Sequence, residues 1–178
     1  MAADGGCLCG AVRCRLEGPP PHADYYCHCR LCQRAAGAPV VAWGTWPADR
    51  FAWTRGEPGS FASSARGERS FCPGRGTPLT FVDPGDPTYV EVTLAGLDDP
   101  AAFPPGCHAW TTSRVRRLEI GDELPRHAGA RSKARAAGHS FVMRWDSAYP
   151  LPHRGSPREQ AGGRSEPPRP PRERGEGS

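Results

Sequence analysis

The segment Cys27-His28-Cys29-Arg30-Leu31-Cys32 is the functional centre that the sequence indicates, because it places three thiols within six residues. Zinc binds thiolates tetrahedrally at about 2.3 Å, and ligands close in sequence lose little loop entropy when the metal binds. A disulfide between Cys27 and Cys29 would close a strained small ring, so a metal explains the spacing better. The sequence therefore predicts a zinc site on Cys27, Cys29 and Cys32.

Three protein thiolates leave one tetrahedral position open, which is the arrangement of catalytic rather than structural zinc. The open position can hold a substrate thiolate or polarise a carbonyl oxygen. The alternatives are residues that would close the site and make it structural: His28, Cys14, Cys107 and His108. We expect His28 to point away from the metal, since it lies between two ligands.

A second group of thiols begins with the Cys-x-Cys pair Cys7-Leu8-Cys9-Gly10. Its natural third member is Cys72, in a Gly- and Pro-rich turn at 71–77 where a Cys-x-x-Cys would be expected. Arg75 stands at the second cysteine position of that turn. Since a charged arginine cannot ligate zinc, this site is expected to be one ligand short.

Length, charge and composition divide the chain of 178 residues into two parts. Residues 1–127 hold 13 Arg against 14 Asp and Glu, whereas residues 128–178 hold 10 Lys and Arg against 5 acids. We therefore predict a zinc-binding domain over 1–128 and a basic, Pro/Gly/Arg-rich tail over 129–178 that is largely disordered. Residues 131–149 allow a short helix. Nucleic acid is expected to bind, if at all, only weakly through the tail.

The eight cysteines are expected to be reduced. No apolar run reaches the roughly 18 residues that span a bilayer, and the first six residues lack the features of a secretory signal. These observations predict a cytoplasmic protein with no membrane partner. In the cytoplasm, metal binding by cysteines is favoured over disulfides.

Short alternating segments predict an all-β domain. Val12, Cys14 and Leu16 share one face of a strand over 6–16, and Val90 and Val92 share one face of a strand over 89–94. Other strand-like runs cover 38–46, 51–54 and 115–120, and Phe71, Leu79 and Phe81 flank the turn that holds Cys72. Turn residues rich in Pro, Gly and Asp separate these runs, and no long helical pattern precedes residue 128.

Seven motifs in fixed order resemble the glutathione-dependent formaldehyde-activating enzyme (GFA) family, whose domain also occurs in centromere protein V. The matching segments are Gly6-Cys7-Leu8-Cys9-Gly10-Ala11-Val12, Cys27-His28-Cys29-Arg30-Leu31-Cys32-Gln33-Arg34, Ser63-Ser64 with Arg69-Ser70-Phe71-Cys72, Gly76-Thr77-Pro78-Leu79, Leu97-Asp98-Asp99-Pro100, Pro105-Gly106-Cys107-His108-Ala109-Trp110 and Asp122-Glu123-Leu124-Pro125. They run through residues 5–127 and leave the tail uncovered.

The resemblance implies an all-β fold of the β-tent type, in which one to two zinc ions hold small antiparallel sheets together. It implies a structural zinc on Cys7, Cys9, Cys72 and the position of Arg75, and a second zinc on the Cys27–Cys32 motif. The activity it implies is that of a carbon–sulfur lyase, which condenses formaldehyde with glutathione to S-hydroxymethylglutathione.

Within this expectation, several residues receive roles. His108 is the candidate for proton transfer, because an imidazole titrates near neutral pH. Ser63, Ser64 and Arg69 are candidates for binding glutathione carboxylates.

Two departures from the family pattern favour an alternative function. Arg75 replaces a structural ligand, and Arg116-Arg117 stand where the family has Pro-Trp. Cys14, Cys107 or water are the conceivable substitutes for the missing ligand. The alternative is a non-catalytic zinc-binding interaction module, or a degenerate family copy with an impaired structural site.

Overall fold

The computed structural model describes residues 2–131, 133–134 and 140–141. Its strands are β1 (Ala2–Gly6), β2 (Arg13–Glu17), β3 (Tyr25–Cys27), β4 (Val41–Pro47), β5 (Phe51–Arg55), β6 (Gly59–Ser64), β7 (Gly67–Phe71), β8 (Pro78–Asp83), β9 (Asp86–Thr93), β10 (Cys107–Ala109), β11 (Lys133–Ala134) and β12 (Ser140–Phe141). Within the described residues the one α-helix, α1, runs from Arg30 to Ala36. The predicted all-β class is confirmed.

A seven-stranded sheet forms the centre of the domain, in the order β10-β3-β4-β9-β8-β7-β6. Its pairs are antiparallel except β10 with β3, which run parallel and place His108 beside Tyr26. A smaller antiparallel sheet has the order β1-β2-β5. The parallel pair matters for function because it brings His108 next to the cysteine-rich turn that follows β3.

Large side chains from the central strands fill the core. Trp43 and Trp46 of β4 are both almost completely buried, and the Trp46 indole N–H donates to the carbonyl of Gly18 over 3.2 Å. Val90 and Val92 of β9 are buried alternately, as the sequence pattern predicts. This core makes the end of β3 a rigid support for the turn that carries the thiols.

Several segments differ from the sequence-based expectations, and strands β3, β6 and β10 are among those not anticipated. The strand predicted over 115–120 is wrong, because that segment is a turn in which the Leu118 N–H donates to the Val115 carbonyl and both arginines between them are exposed. Strand β1 was not anticipated, since Ala and Gly give it little strand character, and β2 supplies its pairing. Helix α1 was also missed, because its seven residues are too few to show a period.

Most of the predicted tail, and with it the predicted disorder, lies outside the described residues. Lys133–Ala134 and Ser140–Phe141 pair as antiparallel strands, so the helical interpretation of 131–149 is wrong at those positions. No helix in the described part of the chain has the length and apolar character needed to cross a membrane.

Candidate metal centre

The thiols of Cys27, Cys29 and Cys32, here called the Cys27 cluster, converge where β3 meets α1. Their sulfur atoms all lie within 4.8 Å of one another. Cys29 is the N-cap of α1, and its Sγ accepts a hydrogen bond from the Cys32 N–H over 3.3 Å. Three convergent thiols are a donor set that suits zinc, so the residues fit the metal that the sequence predicts.

Shared hydrogen bonds concentrate negative charge on one thiol of this cluster. The side chains of Cys27 and Cys32 lower the pKa of Cys29 to about 3. The pKa of Cys27 rises well above its usual value, because its thiol is bonded to Cys29 and Cys32 and is buried. Hydrogen bonding to Cys27 lowers the pKa of Cys32, but the bond to Cys29 and burial outweigh it and raise that pKa overall. The cluster is therefore anionic even without a metal.

Arg69 supplies a buried positive charge to this anionic cluster. Its side chain is 5% exposed, and its guanidinium donates to Cys32 Sγ over 3.3 Å. The same guanidinium lies over the rings of Trp43 and Phe81, at 5.5 and 4.9 Å from their centroids. A buried cation needs an anionic partner, and the Cys27 cluster is the partner that this geometry supplies.

A chain of hydrogen bonds joins His28, His108 and Asp122 beside the cluster. His28 Nε2 lies 2.9 Å from His108 Nδ1, and His108 Nε2 lies 3.0 Å from the Asp122 carboxylate. Burial, followed by the neighbouring His108, lowers the pKa of His28. Both ring nitrogens of His108 therefore have hydrogen-bond partners. Of the three side chains in this hydrogen-bonded series, His28 is the one nearest the cysteines.

The backbone around His28 is fixed from two sides. The Gln33 side-chain amide donates to the His28 carbonyl over 2.7 Å and to the Ser113 carbonyl over 3.1 Å. The His28 N–H donates to the carbonyl of Ala109 in β10 over 3.0 Å. These bonds hold the cysteine turn against β10 and orient the His28 ring towards His108.

The second group, here called the Cys7 cluster, consists of Cys7, Cys9 and Cys72. Cys7 Sγ lies 3.4 Å from Cys9 Sγ, which lies 3.7 Å from Cys72 Sγ. The three sulfurs also lie within 4.8 Å of one another, so they form a second potential metal site. Arg75, in the adjoining turn, is exposed.

Four other residues singled out from the sequence do not join either cluster of thiols: Cys14, Cys107, Ser63 and Ser64. Cys14 pairs with Trp53 across β2 and β5, and burial raises its pKa to about 11. Cys107 packs in the apolar core around the Cys27 cluster, but neither cysteine joins a cluster of potential metal ligands among residues 2–131. Ser63 Oγ donates to the Gly67 carbonyl, and Ser64 Oγ accepts from the Arg66 N–H, both within the β6–β7 hairpin.

Sequence reasoning missed the contacts that surround the Cys27 cluster. It identified Arg69 and His108 but not that Arg69 contacts Cys32 or that His108 links His28 to Asp122. The signal for the histidine chain was present in part, since His28 sits between two cysteines and Asp122 lies in a motif that matches the family.

Together, the fold and the two clusters define a β-rich protein with two sites of three thiols, each able to hold a metal ion. The family model described as glutathione-dependent formaldehyde-activating enzyme (GFA) matches residues 2–113, and the chain belongs to this family.

Known proteins similar to this chain include one from Halomonas elongata named "Putative glutathione-dependent formaldehyde-activating enzyme". The two are 30% identical over 112 residues, which are 59% of this chain and 71% of that protein. A crystal structure of a Rhodobacter sphaeroides protein is similar over 53% of this chain and 87% of its own, at 22% identity and a TM-score of 0.43.

Proposed function

We propose that this protein is a zinc-dependent carbon–sulfur lyase of the GFA type, acting on a thiol–aldehyde adduct such as S-hydroxymethylglutathione. The observation that carries the proposal is the Cys27 cluster, in which three sulfurs converge and the buried Arg69 donates to one of them. The family membership and the name of the Halomonas elongata relative support this substrate class.

The cysteines of the Cys27 cluster would hold the zinc and leave one ligand position open. When bound, zinc supplies a Lewis acid that keeps a substrate thiol deprotonated or polarises an aldehyde oxygen. Arg69 offsets the excess negative charge of three thiolates around a divalent ion, which makes approach of a further anion less costly. The protein thus contributes proximity and charge balance to a reaction that thiols and formaldehyde also undergo spontaneously.

Proton movement would pass through the His28–His108–Asp122 chain. In the forward reaction a C–S bond forms between the thiol sulfur and the aldehyde carbon, the thiol proton leaves, and the aldehyde oxygen gains a proton to become hydroxyl. With Asp122 ionised, the hydrogen-bond network assigns a proton to His108 Nε2 and to His28 Nε2, which leaves His28 Nδ1 with a free lone pair. That buried nitrogen has no hydrogen-bond partner in the structure. We propose that it accepts and returns the proton, with His108 acting through it.

Ser63 and Ser64 remain our proposal for binding the carboxylates of a glutathione-like substrate, at the β6–β7 hairpin. A cavity of about 190 Å³ adjoins this region and is lined by Ala35, Phe61, Arg69, Ser70, Phe71, Gly76 and Pro78. The reaction needs a reduced thiol, so we also propose that the protein works in the cytoplasm.

The alternative function is a non-catalytic zinc-binding module, or an impaired family copy. It is favoured by Arg75, which leaves the Cys7 cluster one ligand short, and by the basic composition of residues 128–178. On this alternative the tail would recruit a partner. Salt-dependent DNA binding that disappears on truncation after residue 128 would support it.

Exchange spectroscopy with carbon-13 formaldehyde and glutathione tests the proposal, because it measures adduct formation and breakdown at equilibrium. We expect the protein to raise the exchange rate above the spontaneous one, Cys29→Ser to abolish the increase, and Cys107→Ser to retain it. An exchange rate equal to the spontaneous one in the zinc-loaded protein would reject the lyase and favour the binding module.

A further inference from the structure

Backbone hydrogen bonds close the turn that carries Cys72 of the Cys7 cluster. The Cys72 carbonyl accepts from the Gly76 N–H over 2.7 Å and from the Arg75 N–H over 3.3 Å. The turn is therefore folded for metal binding although its second cysteine position holds arginine.

The turn that carries Cys7 and Cys9 is equally well formed. The Val12 N–H donates to Cys7 Sγ over 3.2 Å, and the Gly10 N–H donates to the Cys7 carbonyl over 3.0 Å. Bonds from backbone N–H groups stabilise thiolates. Two preorganised turns thus hold three sulfurs ready for a metal.

No described residue fills the fourth ligand position of this cluster. Among residues 2–131, the groups able to join a metal there are the three cysteines themselves. Cys14 pairs with Trp53 across β2 and β5 of the small sheet, and Cys107 belongs to the core around the Cys27 cluster. Both substitutes that the sequence suggests are therefore engaged elsewhere.

The surroundings of the Cys7 cluster are open to solvent on one side. Cys7 and Cys72 are buried, but Cys9 is exposed, its neighbour Leu8 is 89% exposed, and Arg75 is exposed. A ligand from solution can reach the cluster on this side without displacing packed core residues.

We propose that the Cys7 cluster binds a metal whose fourth ligand is exchangeable and comes from solution as a small-molecule thiolate. This differs from the closed four-cysteine structural site that the family resemblance implies, and it does not depend on the lyase activity proposed for the Cys27 cluster. A divalent ion with three thiolates carries one negative charge, and a fourth thiolate makes it two. The arginine in place of the fourth cysteine supplies one positive charge to the turn and favours an anionic ligand over water.

Cobalt substitution tests this proposal, because sulfur-to-cobalt charge-transfer absorption grows with the number of cobalt–sulfur bonds. The full-length protein is loaded with two equivalents of cobalt and titrated with 2-mercaptoethanol, beside Arg75→Cys and Arg75→Ala. Arg75→Cys closes the Cys7 cluster, so any remaining response belongs to the Cys27 cluster. We expect the wild type to show a larger absorption increase than Arg75→Cys, and the difference should equal one added cobalt–sulfur bond per chain. Arg75→Ala should show the same increase as the wild type.

Equal responses of the wild type and Arg75→Cys would overturn the proposal. So would one cobalt per chain in the wild type against two in Arg75→Cys, because the Cys7 cluster would then hold no metal without a fourth cysteine. Failure of the lyase proposal would give a different result. Arg75→Cys would then show no absorption response to the thiol, because the Cys27 cluster binds none, while the wild type would still respond through the Cys7 cluster.

Zinc transfer to a chromophoric chelator gives a second measurement that uses the native metal. An exchangeable ligand position lets the chelator attack directly, so one zinc per chain should leave the wild type and Arg75→Ala at least about tenfold faster than it leaves Arg75→Cys. Identical transfer rates for all three proteins would contradict the proposal.

Discussion

The guanidinium of Arg69 donates a hydrogen bond to Cys32 Sγ over 3.3 Å from a side chain that is almost fully buried. This contact joins the seven-stranded sheet, through β7, to the helix that follows the cysteine turn. It places a permanent positive charge against thiols that carry negative charge with or without a metal. The electrostatics of the Cys27 cluster therefore depend on a residue far from it in sequence.

Replacing Arg69 with methionine should weaken metal binding at the Cys27 cluster. The methionine fills similar space but removes the charge that balances three thiolates, so we expect the zinc dissociation constant to rise about 10- to 100-fold. Competition with a chelator of known affinity measures this. Arg66→Met is the matched control, because Arg66 pairs with Asp83 at the end of the same hairpin. Unchanged zinc affinity in Arg69→Met would show that Arg69 does not contribute to metal binding.

Replacing Asp122 with asparagine should reduce the exchange activity and leave the zinc content unchanged. The asparagine amide can no longer fix the proton on His108 Nε2, and we expect a loss in kcat of about 10- to 100-fold with little change in KM. The pH–rate profile should change as well, which a purely structural role would not cause. Glu123→Gln is the control, since Glu123 is the exposed neighbour. Wild-type kinetics in Asp122→Asn would contradict the proton path.

The metal-free protein should react with iodoacetamide first at Cys29 in mild acid. At about pH 5 Cys29 is a thiolate, since its pKa is about 3, whereas the thiol of Cys14 stays protonated with a pKa of about 11. Peptide mapping by mass spectrometry follows the order of alkylation, and zinc should protect Cys29. Alkylation of Cys29 no faster than that of Cys14 would show that the charge of the cluster does not reside there.

Replacing Asp24 with asparagine should stabilise the protein at neutral and alkaline pH. Burial, opposed by Arg131, raises the pKa of this carboxyl to about 6, and its Oδ1 has no hydrogen-bond partner. Ionised Asp24 therefore destabilises the fold above about pH 6, and the penalty vanishes below about pH 4, where the carboxyl is protonated in both states. We expect a gain of up to about 3 kcal/mol in the free energy of unfolding near pH 8.

Denaturant unfolding at several pH values measures this gain, with the exposed Asp99→Asn as the control. A gain that is the same at low and high pH would mean that packing rather than charge explains the effect.

The two groups of candidate metal ligands could be predicted from the sequence because thiols with the spacing of a turn converge when that turn forms. Cys27, Cys29 and Cys32 converge as their spacing indicates, and Cys72 joins Cys7 and Cys9 as the resemblance implies. The all-β class followed from alternation that is local to each strand, such as Val90 and Val92 in β9.

The partners of those ligands could not be predicted, because they depend on the pairing of distant strands. Arg69 reaches Cys32 across 37 residues, and His28 reaches His108 across 80. The parallel pairing of β10 with β3, which brings the two histidines together, leaves no local pattern in the sequence. The segment 115–120 shows the reverse case, in which apparent alternation pairs with no strand among the described residues.

We infer that the Cys27 cluster holds zinc, and the metal content of two matched variants checks this claim. Cys32 and Cys107 are equally buried, at 7% exposure each, but only Cys32 belongs to the cluster. Elemental analysis of purified Cys32→Ser should find one zinc per chain fewer than in the wild type, whereas Cys107→Ser should retain the wild-type content. Equal zinc content in Cys32→Ser and the wild type would contradict the claim.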